Sequence, residues 1–109
     1  MRDAPLLDSL FTDTFEHLGT KALYAQEGFG FIECLVLIKE PEQMYELGDG
    51  QFVERIATFE IMSSDITNPK VGDFLYVNGR KYKIYTEPLL DPSGNVYEIT
   101  AILVGAENV

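Results

Sequence analysis

A chain of 109 residues with 18 acidic and 8 basic side chains carries a net charge of −10, which repels phosphate backbones and so excludes ordinary nucleic-acid binding. Apolar residues make up 46% beside an ordinary charged fraction of 24%, which excludes a disordered chain. One domain over residues 1–109 is predicted, able to bury roughly 65% of its unfolded surface without metal or disulfide help.

No apolar run approaches the roughly 20 residues of a membrane span. Met1 to Leu10 has acids where an export signal needs a cationic and then an apolar segment, so a soluble protein without a classical signal is expected. Leu7, Leu10, Phe11, Phe15 and Leu18 recur at helical spacing, with Asp3 placed to cap, Pro5 in the first turn and Gly19 past the end. The spacing predicts a helix over about residues 4–18, its solvated side formed by Asp8, Asp13 and Glu16. His17 has no second His or Cys nearby and reads as a surface or capping residue.

Lys21 to Gln26 has strand composition, Gly28-Phe29-Gly30 breaks it, and Phe31 to Lys39 resumes as a strand that is apolar on both faces. Such a strand must be covered twice, by the sheet core and by the N-terminal helix or a neighbouring subunit. Lone Cys34 excludes an intramolecular disulfide and reads as a small buried thiol. From Glu40 to Glu54 the pattern fails: Pro41, Gly48 and Gly50 stand among acids and the unsupported apolar residues Met44, Tyr45, Leu47 and Phe52. A long mobile loop over about 40–54 is expected, either a plain connection or a segment that orders on a partner.

Ile56 to Met62 alternates as a strand with Ala57, Phe59 and Ile61 on one side, and Ser63 to Lys70, with Asn68-Pro69, turns the chain. Val71 to Tyr85 is the clearest element, a β-hairpin whose Asn78-Gly79 pair suits the two positive φ values of a type I′ turn. The two-residue loop sets Val77 against Arg80, Tyr76 against Lys81, Leu75 against Tyr82, Phe74 against Lys83 and Asp73 against Ile84. Leu75, Val77, Tyr82 and Ile84 then share the core side. Phe74, Tyr76 and Tyr85 share the other with Lys81 and Lys83, and three of the 8 basic residues fall between Arg80 and Lys83. That side is either a set of rings shielded by lysine stems or a protein contact surface. Asp91 to Asn95 is a turn, and Val96 to Val104 is a last strand with Tyr97, Ile99, Ala101 and Leu103 on one side. The fold class is therefore mainly β: a small antiparallel barrel or sandwich over about 20–104, with an N-terminal α-helix and one long mobile loop.

Signals of catalysis fail in turn. There is no glycine-rich phosphate loop, no metal-ligand spacing of Cys or His, and no second His or Cys from which a nucleophile and base could be assembled. Asp91, Ser93 and Asn95 lack the glycine and glutamate that a calcium loop requires after them. The expectation is a non-enzyme without metal or cofactor.

The order of parts resembles a known family. An N-terminal helix, Phe29-Gly30-Phe31-Ile32 at a strand start, a long loop, and the run Val71-Gly72-Asp73-Phe74-Leu75-Tyr76-Val77-Asn78-Gly79-Arg80-Lys81-Tyr82-Lys83-Ile84 are together similar to the head-tail joining (head completion) proteins of long-tailed, lambda-type phages and prophages. The resemblance covers about Leu6 to Leu103. It implies a structural virion protein, assembled in the bacterial host cytoplasm, that joins head to tail as a ring of six or twelve copies. Its implied partners are copies of itself, portal or adaptor proteins and tail proteins, with DNA passing through unbound and no membrane. The candidate interface residues are Phe74, Tyr76, Lys81, Lys83 and Tyr85 on the hairpin and Met44, Tyr45, Leu47 and Phe52 on the loop. The alternative is a monomeric OB-like or SH3-like domain that uses the same face for a peptide or small ligand.

Overall fold

In the computed structural model, which describes residues 14–26, 28, 30–47 and 52–106, the strands form one antiparallel sheet. In chain order they are β1 (Thr20–Gln26), β2 (Gly30–Leu47), β3 (Phe52–Met62), β4 (Phe74–Val77), β5 (Arg80–Ile84), β6 (Leu89–Leu90) and β7 (Val96–Ala106). Neighbours run β3-β2-β1-β4-β5-β7, and β7 pairs back onto β3, so six strands close into a barrel. β6 lies along the same edge of β7 as β5. Of the two expected architectures, barrel and sandwich, the chain adopts the barrel, which leaves no open edge around its wall.

The hairpin of β4 and β5 has the register its turn demands, from Val77 opposite Arg80 to Phe74 opposite Lys83. Asn78 (φ 53°) and Gly79 (φ 75°) supply the two left-handed residues of a type I′ turn. Its inner side chains, Leu75, Val77, Tyr82 and Ile84, are buried with Phe59, Ile61, Ile99 and Ala101, and this set forms the core. Phe59 and Tyr82 meet edge-to-face with centroids 5.1 Å apart.

The Gly-Asp pair that leads into the hairpin has a definite physical task. Gly72 (φ 96°) takes a conformation that a side chain would strain, and this delivers the Asp73 carboxylate into the interior. There one carboxylate oxygen accepts the Tyr24 hydroxyl at 2.8 Å and the Lys70 N–H at 3.0 Å. Gln26 adds a second tie, its side-chain amide donating to the Thr67 carbonyl at 2.7 Å and the Asn68 carbonyl at 3.1 Å. The last inward positions of β1 thus pin the connection between β3 and β4.

Residues 14–18 are helical, and the helix positions before them, with Asp3 and Pro5, lie outside the described residues. Phe15 is buried and lines a crevice with Leu37, Leu89, Leu90 and Val96, so the helix end supplies the second cover that the outer face of β2 requires. Gly19 donates to the Phe15 carbonyl at 2.8 Å. A Cβ on Gly19 would run into that same carbonyl oxygen and would sit 3.3 Å from the Leu35 Cβ. Glycine is needed here for close approach.

The expectation of a loop over 40–54 is corrected for residues 40–47 and 52–54, and its stretch over 48–51 lies outside the described residues. Residues 40–47 continue β2 and residues 52–54 begin β3, paired from Leu47 opposite Phe52 to Gln43 opposite Ile56. Pro41, which reads as a breaker, falls between the register shifts at Ile38/Glu40 and Glu40/Gln43. Without an N–H it cannot form a ladder rung, so the strand bulges and bends there instead of ending. β3 stays paired with β7 only from Ile56 onward, and the preceding residues pair with β2 alone. The result is a two-stranded arm that leaves the barrel.

Candidate interaction surfaces

Cross-strand register assembles an aromatic patch on the outer wall. In β1, Leu23 lies opposite Tyr76 of β4, and Ala25 lies opposite both Phe74 of β4 and Phe31 of β2. Alternation turns all of these outward, because their neighbours Ala22, Tyr24 and Leu75 are buried in the core. Phe31 meets Tyr76 edge-to-face at 5.7 Å and 64° while remaining 65% exposed. Lys81 Nζ stands 4.5 Å from the Phe74 ring centre and 5.7 Å from that of Tyr76, a cation–π arrangement on two rings. A groove of about 890 Å³ runs beside the patch, lined by Lys21, Leu23, Phe31, Glu33, Asp65 and Tyr76 among others.

The hairpin candidates fall as follows. Phe74, Tyr76 and Lys81 form one cluster, each half-buried. Lys83 is exposed beside it, opposite Phe74 in register. Tyr85 follows the strand, half-exposed, with its N–H on the Thr100 carbonyl. Phe31 and Leu23 were missed by sequence reasoning. Alternation along β1 and β2 could have turned them outward, but only the non-local β1–β4 pairing places them beside Tyr76.

The loop candidates lie on the arm, apart from the hairpin cluster. Met44 is 59% exposed and Tyr45 41%, while Leu47 and Phe52 pair across the arm at its last described rung. At its base Glu42, also missed, turns back to the barrel. Its Oε1 accepts Arg80 Nε and the Tyr82 hydroxyl, both at 2.8 Å, and its Oε2 accepts Arg80 Nη2 at 2.8 Å and Arg55 Nη1 at 3.3 Å. The Arg80 fork, helped by Tyr82 and Arg55, holds the Glu42 carboxyl below the usual carboxylate range despite its partial desolvation. Burial, and then this carboxylate, push the Tyr82 phenol up to about 12. Arg80 therefore leaves the positive run read from the sequence and serves within its own chain. Lys81 and Lys83 remain to face outward.

Elsewhere the polar clusters are occupied locally. Asp91 accepts from the Ser93 hydroxyl and from the Asn95 and Val96 N–H groups, which closes the turn before β7. Cys34 is a free, buried thiol pushed up to about 12 by burial and then by the nearby charge of Asp65. Among the described residues no group of His, Cys, Asp and Glu is arranged to hold a metal, and no helix is long and apolar enough to cross a membrane. None of the individually curated proteins matches the chain. Residues 2–101, which take in β1 to β6 and the first half of β7, match the family described as phage head-tail attachment protein, and the chain belongs to that family.

Proposed function

We propose that this protein joins phage head to tail as a ring that continues the DNA channel between the portal or adaptor and the tail proteins, and that it does so without catalysis. The observation that carries the reading is the family match over residues 2–101. Two features support the finer parts. A ring needs two different surfaces on each copy, and the aromatic–lysine wall and the acidic arm differ in place and character. A net charge of −10 suits a conduit, because an acidic lumen lets DNA slide without counterion release.

The test is electron microscopy of particles made with and without the gene. Filled heads separate from tails are expected in its absence, and a closed ring at the head-tail joint in its presence, of six or twelve copies on the family resemblance. Normal numbers of tailed particles without the protein would overturn the joining role. A chain that stays monomeric at all concentrations and is missing from the joint would point instead to a small OB-like or SH3-like binding domain.

A further inference from the structure

Barrel closure leaves the start of β2 outside it. β2 pairs with β1 from Gly30 to Val36, but its pairing with β3 begins only at Val36, opposite Ile61, and β3 ends one residue later at Met62. Residues 30–35 therefore have a strand partner on one side alone. The Leu35 N–H is directed at the carboxylate of Asp65, three residues past the end of β3, and so away from β1. Main-chain groups alternate sides along a strand, so the N–H and C=O of Phe31 and Glu33 face the same way. Among the described residues, no backbone bond outside the β1 ladder reaches either of them. The same edge carries acid. The groove beside the aromatic patch runs from Leu23 on β1, across Phe31 and Glu33, to Asp65, so it passes over this edge. Glu33 and Asp65 form no ion pair among the described residues, and burial raises the Asp65 carboxyl, as a carboxylate without a cation beside it shows. The lysines stand further off, Lys21 on β1 and Lys81 and Lys83 two strands beyond it on β5.

We infer that this edge of β2 takes an extended segment of a head or tail protein as an added strand, with a Lys or Arg beside Glu33 and apolar side chains two residues to either side, against Phe31 and Leu35. An open edge offers main-chain pairing to any extended chain, and the side chains of the added strand then select the partner. Phe31, Glu33 and Leu35 share the outer face, the first two exposed and the third half-buried, so the added residues on that face should read apolar, basic, apolar. A second copy fits worse. Two such edges meeting antiparallel about a two-fold axis through this stretch would set Glu33 against Glu33, and like charges directly opposite are destabilising. The net charge of −10 likewise favours a basic arrival. The choice of a head or tail protein rests on the joining reading, whereas the unpaired edge does not.

The probe is the blocked peptide acetyl-Thr-Leu-Thr-Lys-Thr-Leu-Thr-amide, titrated into the isotopically labelled chain and followed by amide NMR and hydrogen exchange. The Phe31 and Glu33 amides should shift and gain protection, while those of β4 and β5 keep their values. Main-chain pairing has its own signature: methylating the peptide nitrogens on one alternate set of residues should abolish the effect, and methylating the other set should not. Glu33→Lys, at an exposed position, should melt as the natural chain does and weaken this peptide about tenfold or more, since it sets like charges across the contact. It should also strengthen the peptide with Glu in place of the central Lys, and lower the joining of heads to tails. If Glu33→Lys melts early, Glu33→Gln reads the loss of charge at conserved size. Unprotected Phe31 and Glu33 amides, peptide binding indifferent to the charge at residue 33, or heads and tails joined by the folded variant as by the natural chain would each overturn the added strand. Protection of the same amides that rises with protein concentration alone would give the edge to a second copy and overturn the partner named. Heads and tails that join without the protein would remove the joining reading and that partner together, an outcome separate from the peptide titration.

Discussion

Asp73 holds two donors on one carboxylate oxygen, the buried Tyr24 hydroxyl and the part-buried Lys70 N–H. Asp73→Ala would leave the buried Tyr24 hydroxyl without a partner and the part-buried Lys70 N–H without its acceptor, and a stability loss of about 2–3 kcal/mol is expected. Tyr24→Phe removes one donor and leaves the Lys70 bond intact, so it should cost about 1 kcal/mol. Urea denaturation of both variants checks the order, and equal losses would mean that the Lys70 bond carries no weight. The sequence made the Gly72-Asp73 pair visible as a strand-opening motif. It could not name Tyr24, which lies 49 residues away and whose ring looks like any other apolar filler until the fold brings it to the carboxylate. Gly19 illustrates a different gap: it marks the helix end correctly, yet its reason is the crowding against Phe15 and Leu35, which only packing shows.

The two hairpins differ in how plainly the chain writes them. β4–β5 carries Asn78-Gly79 between alternating runs, so type, register and faces follow from local rules. The stretch from residue 40 to residue 54 carries Pro41, two glycines and several acids, and local rules read it as a loop. What holds its base is a long-range contact. Because the Glu42 carboxyl is lowered in the folded chain, its contribution is complete above its unfolded value of about 4.3 and is lost as pH falls through the lower folded value. Glu42→Gln should therefore be less stable than the natural chain at neutral pH, with the gap narrowing as the solution is taken below about pH 4. Hydrogen exchange adds a local readout. Amides of Gln43 to Leu47 should exchange faster in Glu42→Gln, while those of β4 and β7 keep their protection. A stability gap that is constant with pH would remove the clamp as its source.

At the scale of the molecule, a closed barrel leaves no edge around its wall for partners, so contacts must use faces, the arm and the start of β2 that outruns β3. The outer side of the hairpin was legible as a candidate from alternation alone, but its extent was not, because Phe31 and Leu23 join it through pairings between distant strands. The patch is asymmetric in its energetics. Tyr76 sits at its centre, touching Phe31 and lying under Lys81, whereas Lys83 is an exposed rim charge. Rim charges contribute under about 1 kcal/mol through direct attraction, while a central aromatic anchor can contribute about 2 kcal/mol or more. Tyr76→Ala with Lys83→Glu should thus leave a folded barrel, since both side chains point away from the core, yet weaken addition to the head-tail joint by roughly 30-fold. Most of that loss should appear in Tyr76→Ala alone, with Lys83→Glu contributing a smaller, salt-sensitive part. Counting tailed particles for the three variants, alongside their melting curves, separates the terms. Full numbers of tailed particles with the double variant would show that this wall does not bear on joining and that its rings are simply shielded by lysine stems.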